Sequence, residues 1–154
     1  MNDVDVQIIR LLQANARSTA SEIGNQIGMS VSAVIERIKK LENAGIISKY
    51  TAIIDHKKVN KDITAIIQVG FEHPKYIDSF MRFVNSQDDI LECHYLAGDF
   101  DFSLKVITDS TTTLQELLSL IKSENGVSKT CTTVVLSTIK NNYSVTPDSL
   151  IPKR

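Results

Sequence analysis

The chain has 154 residues, 42% hydrophobic and 23% charged, with a formal net charge of −1. Those proportions are ordinary for a soluble globular protein, and no apolar run approaches the roughly 20 residues needed to span a bilayer. The acidic Met1-Asn2-Asp3 opening is unlike a secretory leader, so a cytoplasmic protein with no membrane partner is expected.

Charge is unevenly spread. Residues 1–60 carry eight Lys/Arg and six Asp/Glu, a net +2, whereas residues 61–154 carry nine and twelve, a net −3. Two domains of different character fit this better than one. The two cysteines, Cys93 and Cys131, are too few for a disulfide framework or a zinc site and read as small apolar residues.

A first helix is predicted over Asp3 to about Ala14. Val4, Ile8, Leu11 and Leu12 fall at helical spacing, and Asp3 and Asp5 suit the positive end of the macrodipole. Thr19 with Glu22 three residues on is a capping box that opens a second helix, which buries Ile23 and Ile27 and stops at Gly28. Ser30 caps a third helix running to about Ala44 and ending at Gly45. Two short helices joined by a Gly-Met turn make a helix-turn-helix, whose second helix can lie in the DNA major groove.

On that helix Val34, Ile38 and Leu41 follow i, i+4, i+7 and are expected in the core, joined by Val31 and Ile35. Ser32, Ala33, Glu36, Arg37 and Lys40 fall on the other side. Small residues at its start permit close approach to base edges, and Arg37 and Lys40 reach either bases or phosphates. The candidate DNA-binding residues are Thr19, Ser30, Ser32, Ala33, Arg37 and Lys40. A domain of net +2 binds DNA weakly in a single copy, so joining several copies would compensate.

Ile46–Asp55 is β-branched and apolar, so a strand is predicted where a winged variant places its wing, with Lys49 and Tyr50 either at the DNA backbone or simply on the surface. The basic stretch 56–61 reads as a hinge between a DNA-binding domain over 1–55 and a second domain over 62–154.

The second domain has its own rhythm. A strand at Ile63–Phe71 is followed by a helix from Pro74 with Ile77, Phe80, Met81 and Val84 as its stripe. Strands at Ile90–Ala97 and Phe100–Thr108 flank a tight Gly98-Asp99 turn. A helix over about Thr112–Ser123, with Leu114, Leu117, Leu118 and Ile121, precedes a last strand from Val127 to about Lys140. The order βαββαβ is the ferredoxin-like split unit, an α+β fold with spatial strand order 4-1-3-2. Cys93 and Cys131 then lie on opposite edges, roughly 14 Å apart, beyond the roughly 7 Å that a disulfide spans. The helices cover one sheet face, and the apolar positions on the other predict cover by a partner subunit.

These segments resemble the Lrp/AsnC ("feast/famine") family of bacterial and archaeal transcription regulators over nearly the whole chain. The resemblance rests on Asp5, Ile9, Leu11 and Leu12, on the run Ser30 to Ile47 with Val34, Arg37, Ile38, Leu41, Glu42 and Gly45, and on Leu91–Val106. Within the last, Gly98-Asp99-Phe100-Asp101 looks like the family's Gly-Asp-aromatic-Asp loop. The resemblance implies a DNA-binding domain, a regulatory domain of the RAM type that dimerises through its sheet, and assembly of homodimers into octamers or similar. It also implies a small amino-acid effector between dimers, held by Gly98, Asp99, Phe100 and Asp101 with Thr132 and Thr133 of the last strand. A carboxylate such as Asp101 can accept from an α-ammonium and backbone N–H groups around Gly98 can receive the carboxylate; alternatively Gly98-Asp99 is only a turn and the threonines only strand formers. Two departures stand out: Thr130-Cys131-Thr132-Thr133 lacks the Arg some relatives carry at Cys131, and 108–113 is polar where relatives are often apolar.

The leading reading is therefore a transcription regulator that binds double-stranded DNA and responds to an amino acid. The alternative is an architectural DNA-binding protein without an effector. An enzyme is not expected: His56, His73 and His94 are scattered, and no nucleophilic, metal or phosphate-cradling motif is present, so no cofactor is called for.

Overall fold

A computed structural model describes residues 1–145 and Pro147. The chain divides into two compact units, Met1–Ile53 together with the tail from Lys140, and Ile54–Ile139.

In the first unit, α1 (Asp3–Ala14), α2 (Ala20–Ile27) and α3 (Val31–Asn43) pack around Ile8, Ile9, Leu12, Ile23, Val34 and Leu41. Each start is capped by a side chain. Asn2 accepts from Asp5 N–H at 3.0 Å, Thr19 Oγ1 from Glu22 N–H at 3.2 Å, and Ser30 Oγ from Ala33 N–H at 3.3 Å. Gly28 sits at φ 70°, a left-handed exit from α2 that only glycine adopts without strain. Val31 and Ile35, expected in the core, are instead 46% and 42% exposed. They lie off the Val34–Ile38–Leu41 line, and the inward-facing place beside that line is taken by Arg37.

Ile46–Asp55 forms no strand. A strand needs a partner ladder, and no other described segment of this chain supplies one, so the expected wing is absent from the single chain. Ile46, Tyr50, Ile53 and Ile54 are left exposed. The tail also departs from the expected division, because residues from Lys140 join the first unit rather than the second. Gln13 Nε2 on α1 donates to Val145 O at 2.7 Å and Ser144 Oγ at 3.1 Å.

The stretch expected as a hinge carries a 3₁₀ turn, His56–Val59, capped by Asp55. Lys61 closes it, its Nζ 2.7 Å from Asp89 Oδ1 and 2.8 Å from Asp109 Oδ1. Those two carboxylates, Asp109 foremost, raise its pKa well above the ordinary lysine value. The sheet has the order β2-β3-β1-β4, from β1 (Ile63–Phe71), β2 (Ile90–Tyr95), β3 (Phe102–Thr108) and β4 (Val127–Val134), all antiparallel. One face, bearing Ala65, Ile67, Val69, Phe102, Leu104 and Val106, is buried under α4 (Ile77–Asn85) and α5 (Thr111–Ser123) through Phe80, Val84, Leu114, Leu117 and Ile121. Met81, assigned to the α4 stripe, is 42% exposed. β4 ends at Val134, earlier than expected, with one further bond to β1 beyond it, from Val135 N–H to Thr64 O. Cys93 and Cys131 are free thiols on opposite edge strands.

The tail contact is testable. Gln13→Ala removes both of its side-chain bonds to the tail, so chymotrypsin should cut after Tyr143 several-fold faster than in the wild-type chain. An unchanged cleavage rate would contradict a docked tail.

Candidate DNA-binding and effector-binding surfaces

On α3 the structure separates residues that the sequence grouped together. Arg37 NH1 lies 2.8 Å from Asp5 Oδ1 and 3.3 Å from Asn2 Oδ1, and its side chain is only 31% exposed. It staples α3 to the start of α1 rather than standing free at the surface. Burial alone would raise the Asp5 carboxyl, but the Asn2 N–H and the Arg37 guanidinium outweigh it and hold the pKa below the ordinary value. Ala33, Arg37 and Lys40 line, with Met1, Asp5 and Ile46, a hollow of about 470 Å³ on that flank.

The outward side of α3 carries Ser32, Glu36 and Lys39, with Val31 and Ile35 beside them, all exposed. Lys40 is exposed but paired with Glu36 at 2.7 Å, one turn back. The Ser30 and Ser32 hydroxyls lie 3.2 Å apart, and the Thr19 hydroxyl is used in its cap with Glu22. Lys39 was missed from sequence; its spacing of i+3 from Glu36 and i+7 from Ser32, both assigned to the outer side, was the available signal.

In the second unit the Gly98-Asp99 segment is not a two-residue turn. Leu96 N–H donates to Asp101 O at 2.7 Å, closing a four-residue loop, Ala97–Phe100. Asp101 fixes that loop to the sheet twice: its N–H donates to Val69 O at 3.0 Å, and its Oδ2 accepts from Phe71 N–H at 2.7 Å. Asp101 is thus first a structural clasp at Gly70–Phe71, where the register with β4 shifts across an extra residue, Ser128.

The register shows what the loop faces. Val69 pairs with Thr130 and Gly70 with Lys129, whereas Thr132 and Thr133 pair with Ile67 and Ile66. At about 3.3 Å per residue, the two threonines lie roughly 7 and 10 Å further along the sheet than the clasp. One chain brings Gly98, Asp99, Phe100 and Asp101 together, but not with Thr132 and Thr133. The residue it does bring is Lys129, whose Nζ stands 4.6 Å from the centre of the Phe100 ring. Sequence reading passed over it while noting the missing cation at Cys131.

The uncovered sheet face is more polar than expected. By alternation it carries Thr64, Ile66, Gln68 and Gly70 of β1, Ser103, Lys105 and Ile107 of β3, Glu92 and His94 of β2, and Lys129, Cys131 and Thr133 of β4. Lys105 Nζ bonds Glu92 Oε1 at 2.9 Å and so holds that carboxyl below its usual range. Cys93, on the other face, is part-buried, and burial pushes its thiol up.

A capped helix-turn-helix on one unit and a ferredoxin-like sheet carrying a clasped loop on the other define a two-domain transcription regulator. Residues 64–145 match the Lrp/AsnC ligand binding domain, and residues 1–48 match a winged helix-turn-helix DNA-binding domain. The chain is 36% identical to the uncharacterized HTH-type transcriptional regulator YezC of Bacillus subtilis, covering 89% of this chain and 94% of that protein. It is 34% identical to the HTH-type transcriptional regulator FL11 of Pyrococcus horikoshii, over 91% and 92% of the two chains. Among solved structures, a Neisseria meningitidis transcriptional regulator in complex with L-Met superposes at a TM-score of 0.90, with 28% identity over 94% of this chain and 96% of that one. Escherichia coli AsnC superposes at 0.88, with 26% identity over 96% and 99%. The protein belongs to the Lrp/AsnC family of transcription regulators. Among the described residues no helix is long and apolar enough to cross a membrane.

The Asp5–Arg37 staple gives the first unit an acid sensitivity of known sign. A carboxyl whose pKa is lowered on folding contributes stability that is fully present above its unfolded value, about 3.9, and is lost as pH falls through the lower folded value. Urea midpoints measured from pH 7 down to pH 2.5 should fall more steeply for wild type than for Asp5→Asn. At pH 7 that variant should lose about 1 kcal/mol.

Proposed function

We propose that this protein is a sequence-specific DNA-binding regulator whose assembly responds to a small amino acid bound at the Ala97–Asp101 loop. The observation that carries the reading is that loop, pinned by Asp101 to the central strand, within a segment that matches the family's ligand binding domain. The regulator from Neisseria meningitidis was solved with L-Met, which favours a free amino acid as the ligand class here. The gap between the loop and Thr132/Thr133 within one chain supports a site completed by a second copy, as in a dimer assembling to an octamer or similar. The exposed apolar residues Ile53 and Ile54 and the weak positive charge of residues 1–60 point the same way. No catalytic role is assigned, and a cytoplasmic location suits a DNA-binding regulator. By linkage, the amino acid alters DNA binding only as far as it favours one assembly over another.

Wild-type protein should show a raised thermal midpoint with at least one of the twenty free L-amino acids. At a hundredfold excess over Kd the stabilisation is about 2.7 kcal/mol, or roughly 5–10 °C for a chain of this size. No shift with any of the twenty leaves the effector-independent architectural protein as the better reading.

The DNA face is tested separately. Lys39→Ala and Lys40→Ala should each weaken binding and reduce the slope of log K against log salt by about 1. Arg37→Ala should lower the thermal midpoint and leave that slope nearly unchanged. A slope loss confined to Arg37→Ala would return Arg37 to the contact surface and remove the lysines from it.

A further inference from the structure

Three observations converge on Gly70. The aliphatic stem of Lys129 lies across it, so that a Cβ at position 70 would meet Lys129 Cγ at 2.8 Å and Cε at 2.9 Å. The stem ends with its ammonium over the Phe100 ring. Lys129 makes no ion pair among the described residues. A cation seated on a glycine and an aromatic face, with no carboxylate within ion-pair distance among the described residues, is arranged to receive an anion from outside the chain.

The second charge of the site lies alongside. Asp101 bonds through its N–H to Val69 O and through its carboxylate to Phe71 N–H, the two neighbours of Gly70, so its carboxyl lies beside the residue that Lys129 crosses. Its Oδ2 is used by Phe71 N–H, and its Oδ1 accepts no hydrogen bond among the described residues. A fixed carboxylate from the β3 side and a fixed ammonium from β4 thus flank Gly70. That is the complement of a zwitterion.

We propose that Lys129 binds the α-carboxylate of the amino-acid effector, with Asp101 Oδ1 taking its α-ammonium. This rests on the amino-acid reading above and adds to it the residue that recognises the ligand's carboxylate. It also sets the ligand class: a free α-amino acid is accepted, and an amide or ester that has lost the negative charge is not. Phe100 serves two purposes here, holding the ammonium in place and walling the site.

The test compares wild type with Lys129→Gln and Lys129→Arg as full-length chains. Binding of the free L-amino acids, L-methionine first, is measured by calorimetry. The carboxamide of whichever amino acid binds wild type most tightly, L-methioninamide in the first instance, is measured beside it. Lys129→Gln should weaken the free amino acid at least tenfold while Lys129→Arg stays within a few-fold of wild type. Wild type should prefer the free acid to its amide by tenfold or more, and Lys129→Gln should lose that preference. An unligated thermal midpoint and a DNA affinity equal to wild type show that Lys129→Gln is folded. If wild type binds an amino acid and Lys129→Gln binds it equally well, the role given to Lys129 is overturned and the effector reading stands. If wild type binds none of the twenty, both are overturned.

Discussion

Alternation along β1 governs the regulatory unit. Ala65, Ile67 and Val69 are fully buried under the two helices, and a slip of one residue would turn all three to the uncovered face. Because that cost fixes the register, it also fixes everything opposite: Thr130 across from Val69, Lys129 across from Gly70, and Thr133 three residues beyond. The candidate effector site inherits its geometry from this packing.

Asp101 converts that register into a site. Its amide and its carboxylate both bond to β1, at Val69 and Phe71 on either side of Gly70, so the loop before it has little freedom to move away from the sheet. The same residue keeps one carboxylate oxygen unused, which is how a structural clasp can also serve as a ligand group. Gly70 is small for a matching reason, since the Lys129 stem lies where a side chain would be.

In the DNA-binding unit one ion pair separates fold from function on a single helix. Arg37 is drawn inward by Asp5 and Asn2, while Lys39, Ser32 and Glu36 stay outward. The charged side of α3 is therefore two surfaces, one that braces α1 and one that is open to a partner. Helical spacing alone cannot tell them apart, because Arg37 is long enough to snorkel from either.

By itself the sequence determined the three helices, the Thr19 and Ser30 caps, the Gly28 exit and the βαββαβ unit, all of which depend on near neighbours or on periodicity that a core enforces. The Gly98–Asp101 loop was also visible as a motif. What only the tertiary structure decided was pairing across long separations. Ile46–Asp55 has strand composition yet no partner among the described residues, and the end of stretch 56–61, read as a hinge, is tied by Lys61 to Asp89 and Asp109. Val31 and Ile35 were expected inside but are exposed, and Arg37, expected outside, is drawn to the Asp5 carboxylate. The same holds for the site. Thr132 and Thr133 were placed there by resemblance, but register sets them apart from the loop, and Lys129 reaches it only because two strands more than fifty residues apart in sequence lie side by side.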